Sequence, residues 1–254
     1  MMEIEIIPCL YDNYSYIISD KESKKVAVID PAEFDLIDKI IIKKYGRLDY
    51  ILNTHHHLDH VGGNEDLRNK YKSKIFASKK DFKRIKNIDV TLEDGDIFNF
   101  GKILFKIMYV PGHTLGHIAF YSPEKKVVFT GDTLFSLGCG RVFEGTFEQM
   151  FESLNKIKSL PDDTKIYCGH EYTKNNFSFC KKYDSENKYL NYKEKWIEGK
   201  LLQKMPTVPI TVKEEKDTNI FLRCEDKSIK INLGMNASSN EDIFKKLRTL
   251  KDNF

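Results

Sequence analysis

Four short apolar runs in this chain each lead into residues that can bind a metal, beside a glycine or a short polar loop. "LDYILNT" runs into "HHHLDHVGGN", "KIMYV" into "PGHTLGH", "VVFT" into "GDTLF" and "KIYC" into "GHEYT". The 254-residue chain has seven histidines, and four of them fall within residues 55–60 together with Asp59. Short runs rich in Val, Ile and Tyr, bounded by turn residues, are predicted strands. A chain whose strands end this way is constrained to a layered fold in which a sheet gathers the chemistry along one rim.

In an extended segment side chains two apart share a face, so His55 and His57 face one way and His56 the other. Gly62 and Gly63 have no Cβ, which permits a tight path that returns Asp59 and His60 to the same point. With His113, Asp132 and His170 from the other strand ends, the set holds five imidazoles and two carboxylates. That is too many donors for one tetrahedral ion and suits two divalent ions with room for water. Imidazole and carboxylate favour zinc, with iron or manganese as alternatives, over calcium or magnesium. The division we expect is His55, His57 and His113 on one ion and Asp59, His60 and His170 on the other, with Asp132 bridging. His117 is expected only as a hydrogen-bond partner behind the ligands.

The opening segments "EIEIIPCL", "YSYIIS" and "KVAVID" read as strands, and "PAEFDLIDKIIIKKYG" as a helix with Ile37, Ile40, Ile41 and Tyr45 on one face, stopped by Gly46. Asn64 is expected to cap a helix over "EDLRNKY". Further strands are predicted in "SKIFAS", "DIFNF", "KILFKIMYV", "IAFYS" and "KVVFTG". Thr146 and Gln149 form a T-x-x-Q capping box for a helix with Phe147, Met150, Phe151, Leu154 and Ile157 inward. From Thr173 the text becomes helical and rich in lysine, with 17 Lys+Arg against 12 Asp+Glu, whereas residues 1–172 carry a net −2. The domain boundary is therefore placed between 172 and 173.

A net charge of only +3, without a basic insertion, argues against nucleic acid as a partner. No apolar stretch approaches the roughly 18 residues of a membrane span, and the start lacks a leader pattern, so a cytoplasmic protein without membrane association is expected. The five cysteines are scattered with no CxxC, which speaks against a disulfide framework. Cys139 and Cys168 lie near the motifs but lack the glycine elbow or partnered histidine of a thiol hydrolase.

"THHHLDH", "PGHTLGH", "TGDTLF" and "CGHEYT" resemble the metal-binding motifs of the metallo-β-lactamase superfamily. The resemblance implies an α+β fold: a four-layer αββα sandwich as catalytic domain (1–172), followed by a smaller α-helical domain for the glutathione substrate (173–254). "LYDNYSYII", "GCGRVFEGT", "YCGHEYTKNNFSF", "PTVP" and "LRTLKDNF" are similar to the glyoxalase II, or hydroxyacylglutathione hydrolase, family and span nearly the whole chain. That family implies hydrolysis of S-D-lactoylglutathione and related 2-hydroxyacylglutathiones to glutathione and D-lactate, the second step of methylglyoxal detoxification. The nucleophile would be a hydroxide bridging two metal ions, with Asp59 and Asp132 as the carboxylates that hold and orient it. Arg141 and Phe143 match glutathione contacts at which the family usually has lysine and tyrosine, and Tyr172 matches a third. Arg248 and Lys251 match a basic pair for the glycine carboxylate, and their i, i+3 spacing lets both reach one anion. A monomer is expected, with a dimer as the alternative. The competing readings are a mononuclear-iron glutathione persulfide dioxygenase and a non-catalytic metal- or glutathione-binding module.

Overall fold

Strands β1 (Met2–Cys9), β2 (Asn13–Asp20) and β3 (Lys25–Ile29) open the chain as an antiparallel meander. Helix α1 (Asp35–Lys44) then returns the chain so that β4 (Tyr50–Leu52) pairs parallel with β3. After the one-turn helix α2 (Leu58–Val61) and α3 (Asn64–Tyr71), strands β5 (Lys74–Ser78) and β6 (Val90–Leu92) extend the parallel part. The first sheet thus has the order β1-β2-β3-β4-β5-β6. Strands β7 (Ile97–Phe100), β8 (Ile103–Tyr109), β9 (Ile118–Ser122) and β10 (Val127–Gly131) follow as antiparallel neighbours. The computed structural model describes residues 2–254. By internal contacts the chain up to Tyr109, with Leu115–Gly131, is one unit, and Val110–Thr114 with Asp132–Phe254 is a second.

In the first unit the alternation of side chains along each strand serves two cores. Ile17, Val28, Ile51 and Ile75 pack with Ile37 and Ile41 of α1 and Leu67 of α3. The opposite face meets the antiparallel strands through aromatic pairs: Tyr16 with Phe129 (5.3 Å), Tyr50 with Phe98 (5.5 Å) and Phe76 with Phe98 (4.6 Å). With both faces covered, β2 is buried along its whole length, as strands sandwiched between layers are. Gly46 (φ +67°) ends α1 as expected, its N–H donating to Ile41 O at 2.8 Å. Asn64 does not cap α3: it is the first helical residue. Its amide is paired instead with Asn53, each side chain donating to the other (2.8 and 3.2 Å). Burial of both amides makes that pairing worth more than a cap bond, because an unmatched buried amide is costly.

The second unit begins with a small hairpin, β11 (Leu134–Phe135) and β12 (Gly138–Cys139). Helix α4 (Phe147–Lys158) starts at the Thr146/Gln149 capping box, both bonds of which form. Strand β13 (Lys165–Cys168) precedes α5 (Thr173–Tyr183) and α6 (Lys188–Leu202). Then come β14 (Ile210–Thr211), α7 (Val212–Thr218), α8 (Lys227–Asn232) and α9 (Asn240–Asp252). Its core is a chain of rings: Phe147 and Phe151 of α4 contact Phe244 of α9, Phe244 contacts Phe221, and Phe221 stacks on Phe179 of α5. Strand β14, paired antiparallel with β13, interrupts the otherwise helical text; two residues carry no period by which to recognise it. No helix among the described residues is long and apolar enough to cross a membrane.

Candidate metal centre

Parallel pairing sets the ends of β3 and β4 side by side, and Asp30 uses that position. Its carboxylate accepts the Thr54 N–H at 2.8 Å and the Thr54 hydroxyl at 2.6 Å. With the hydroxyl proton committed to Asp30, the 3.1 Å contact between Thr54 Oγ1 and His55 Nδ1 assigns the His55 proton to Nδ1. His60 Nδ1 lies 3.0 Å from the same carboxylate. One buried carboxylate therefore holds both histidines with Nε2 as a lone pair, the tautomer a metal ligand needs. Sequence reasoning missed Asp30, although it obeys the same strand-end rule, closing "KVAVID".

His55 Nε2 faces His57 Nδ1 at 3.1 Å, and His60 Nε2 lies 3.6 Å from Asp59 Oδ2. Nitrogens bound at about 2.0–2.1 Å to one tetrahedral ion stand roughly 3.4 Å apart, so the spacing of these donors fits shared cations. Asp59 is steadied by Asn13, whose Nδ2 donates to its carboxylate (2.9 Å) and its carbonyl (3.2 Å). Gly62 and Gly63 matter through close approach: a Cβ there would lie 2.5 Å from Ala32 O and 2.9 Å from Glu33 O. His117 stacks on His55 at 4.7 Å, while His56 is directed to the buried carboxylate of Asp81 (3.6 Å). Gly131 (φ +47°) leaves room for Thr54, since a Cβ would stand 2.4 Å from its hydroxyl. Gly131→Ala is expected to cost about 1–3 kcal/mol, read by urea denaturation, and to lower metal content by disturbing the Asp30–Thr54–His55 chain.

In the second unit His113 Nδ1 lies 2.9 Å from the Arg141 carbonyl, which can only accept, so Nε2 is again the lone pair. Asp132 Oδ2 stands 3.5 Å from His113 Nε2 and 3.3 Å from His170 Nε2. One carboxylate oxygen thus stands between two imidazole donors, at the spacing of ligands that share a cation. The Phe143 ring lies 5.1 Å from His113, and Tyr172 stacks on His170 at 4.7 Å, so both rings wall the ligands.

The basic residues form a cluster in the same unit. Arg141 Nε is 3.7 Å and Arg248 Nη2 3.1 Å from Asp252 Oδ1, and Lys251 bonds the Asn175 side chain. Arg248 is only 3% exposed and donates to the Cys139 carbonyl at 2.8 Å, which fixes the loop that carries Arg141. Burial, reinforced by Arg248, pushes Lys251 down to about 8. Glu215 was not singled out in the sequence, where it is one of several acids in "KEEKD". Its carboxylate accepts the Leu137 N–H (2.9 Å) and the Asn219 amide (2.7 Å), anchoring the β11–β12 hairpin, and burial raises it to about 7. All five cysteines are buried. Burial raises the Cys139 thiol and pushes Cys168 up to about 12, so neither supplies a thiolate nucleophile.

Residues 10–170 match the family described as "Metallo-beta-lactamase superfamily", and residues 171–254 that described as "Hydroxyacylglutathione hydrolase C-terminus". A hydroxyacylglutathione hydrolase of Pelagibacter ubique is 52% identical over 100% of both chains. One of Maricaulis maris is 42% identical, covering 99% of this chain and 98% of its own. Among solved structures, ETHE1 from Myxococcus xanthus aligns over 98% of this chain and 91% of its own with a TM-score of 0.70 and 22% identity, a likeness of fold alone. With both parts of its length matched and full-length relatives at these identities, the chain belongs to the hydroxyacylglutathione hydrolase (glyoxalase II) family of the metallo-β-lactamase superfamily.

Proposed function

We propose that this chain hydrolyses S-D-lactoylglutathione and related 2-hydroxyacylglutathiones to glutathione and D-lactate, completing methylglyoxal detoxification in the cytoplasm as a monomer. His55, His57 and His113 would hold one divalent ion and Asp59, His60 and His170 a second, with Asp132 shared; zinc is the expected metal, iron and manganese the alternatives. The observation that carries this reading is the Asp132 oxygen set between the Nε2 atoms of His113 and His170. When bound, the ions supply Lewis acidity, lowering the pKa of water from 15.7 towards about 7 and drawing charge from the thioester carbonyl. Asp30 keeps the imidazole lone pairs directed at that chemistry, and Asn13 keeps Asp59 in place. The departing glutathione thiolate, with a pKa of about 8.5, needs little protonation, so no general acid is called for. The division of labour follows a boundary between residues 172 and 173, the later segment binding glutathione.

Phe143 and Tyr172 would flank the thioester, and Arg141, Arg248 and Lys251 would draw the glutathione carboxylates. Three cations against Asp252 leave an excess of positive charge suited to carboxylates. Phe143 supplies a face but no hydroxyl, and Arg141 a bidentate fork in place of an ammonium. Lys251 carries its charge below about pH 8 and loses it above. KM for the thioester is therefore expected to rise as pH passes 8 while kcat holds, and Lys251→Arg to remove that rise; identical KM profiles for the two proteins would take Lys251 out of substrate binding.

The reading is tested by following thioester absorbance on purified protein whose metal content is known from elemental analysis. Turnover with about two ions per chain, abolished by chelation, is the expected result. One iron per chain with oxygen uptake on glutathione persulfide, and no thioester cleavage, would replace it with the dioxygenase.

A further inference from the structure

The opposite ends of the strands that carry the metal ligands open on a second site. Lys25, Tyr50 and Lys74 are the first residues of β3, β4 and β5. With Arg47, Lys70, Lys72 and Tyr71 they line a cavity of about 530 Å³. β3 is five residues long, so at about 3.3 Å per residue it separates this cavity from Asp30 by roughly 16 Å.

Charge decides what such a cavity can hold. Five cations line it against one carboxylate, Asp49, which is bound by Lys25 at 2.9 Å and by Arg47. Lys70 is offset by Asp38 at 2.7 Å, whose other oxygen accepts the Tyr71 hydroxyl at 2.6 Å. Lys72 and Lys74 form no salt bridge among the described residues; the one carboxylate that feels Lys74, Asp89, is itself bound by Arg68 at 2.8 Å and so leaves the balance unchanged. Helices α1 and α3 both end at this cavity, and each C-terminus contributes roughly half a negative charge. With Asp49 and Asp38 counted as well, about two positive charges stay unmatched. Here the excess equals one phosphate dianion.

The geometry points to a binding site for a phosphate dianion in this cavity, held by Lys72 and Lys74 with Arg47, and separate from the hydrolytic centre. Free phosphate and the phosphate of a small ester share that chemistry. Tyr71, whose hydroxyl is bound to Asp38, also lines the cavity and would give the organic group of a small ester an apolar neighbour.

Calorimetric titration of the full, metal-loaded chain at constant ionic strength tests this, with inorganic phosphate in one arm and phenyl phosphate in the other. Saturable 1:1 binding is expected in at least one arm, weakened tenfold or more in the Lys72→Glu/Lys74→Glu variant, with thioester hydrolysis unchanged. Tighter binding of phenyl phosphate identifies an ester as the ligand; equal or tighter binding of phosphate identifies the free ion. Absence of saturable binding, or equal binding by wild type and variant, as phosphate on the metal centre would give, overturns the proposal.

Discussion

Asp132→Ala is expected to leave a folded protein with less than one metal ion per chain and kcat/KM reduced about a thousandfold or more. The residue is 6% exposed, and its Oδ2 is the atom that His113 Nε2 and His170 Nε2 both approach. Removing it takes away the carboxylate that stands between His113 and His170 and leaves those two imidazoles without it. Lewis-acid stabilisation of the developing charge is worth several kcal/mol, and about 4 kcal/mol corresponds to three decades in rate. Elemental analysis, circular dichroism and thioester turnover on the same preparation separate loss of metal from loss of fold. Asp132→Asn keeps the shape and loses the charge, so it is expected to fall between wild type and alanine. Wild-type turnover by the alanine variant would remove Asp132 from the reaction.

The sequence made the site legible because strand ends are marked twice, by the stop of an apolar run and by the donor that follows. That rule picks out His55, His57, Asp59, His60, His113, Asp132 and His170 as candidate ligands. It also reaches Asp30, but no second donor or glycine flanks that residue to mark it; what distinguishes Asp30 is the parallel β3–β4 pairing, a long-range fact. The Thr146 capping box was readable because both of its bonds are local. Asn64 misled for the converse reason, its partner Asn53 being eleven positions away and buried. Arg248 and Lys251 share a helical face as their spacing says, but spacing does not tell that the face is covered and Arg248 nearly closed to solvent. The two-residue strand β14 offers no period, so it could not be told from the helical text around it.

Asp30→Asn is expected to weaken metal binding by 10- to 100-fold while leaving turnover of the fully loaded protein within a few-fold of wild type. Partners of this kind, which touch ligands rather than metal, carry effects of that size. The carboxylate accepts from Thr54 N–H, from Thr54 Oγ1 and from His60 Nδ1. An asparagine has one oxygen for those three donors, and its amide group must face at least one of them. With its nitrogen in the Oδ1 place the amide opposes the Thr54 N–H and pushes on the backbone that carries His55; with its nitrogen in the Oδ2 place it faces both His60 Nδ1, which must change tautomer, and the Thr54 hydroxyl, which rotates and releases His55 Nδ1. Thr54→Val separates the two routes, because it breaks only the link to His55. Its loss of affinity is therefore expected to be the smaller. Competition against a chromophoric chelator gives both affinities, and the absorption spectrum of the cobalt-substituted protein reports the change in ligand field directly. If Asp30→Asn competes for metal as well as wild type does, the imidazoles are oriented by their packing, with His55 on His117, and the carboxylate has no part in setting their protons.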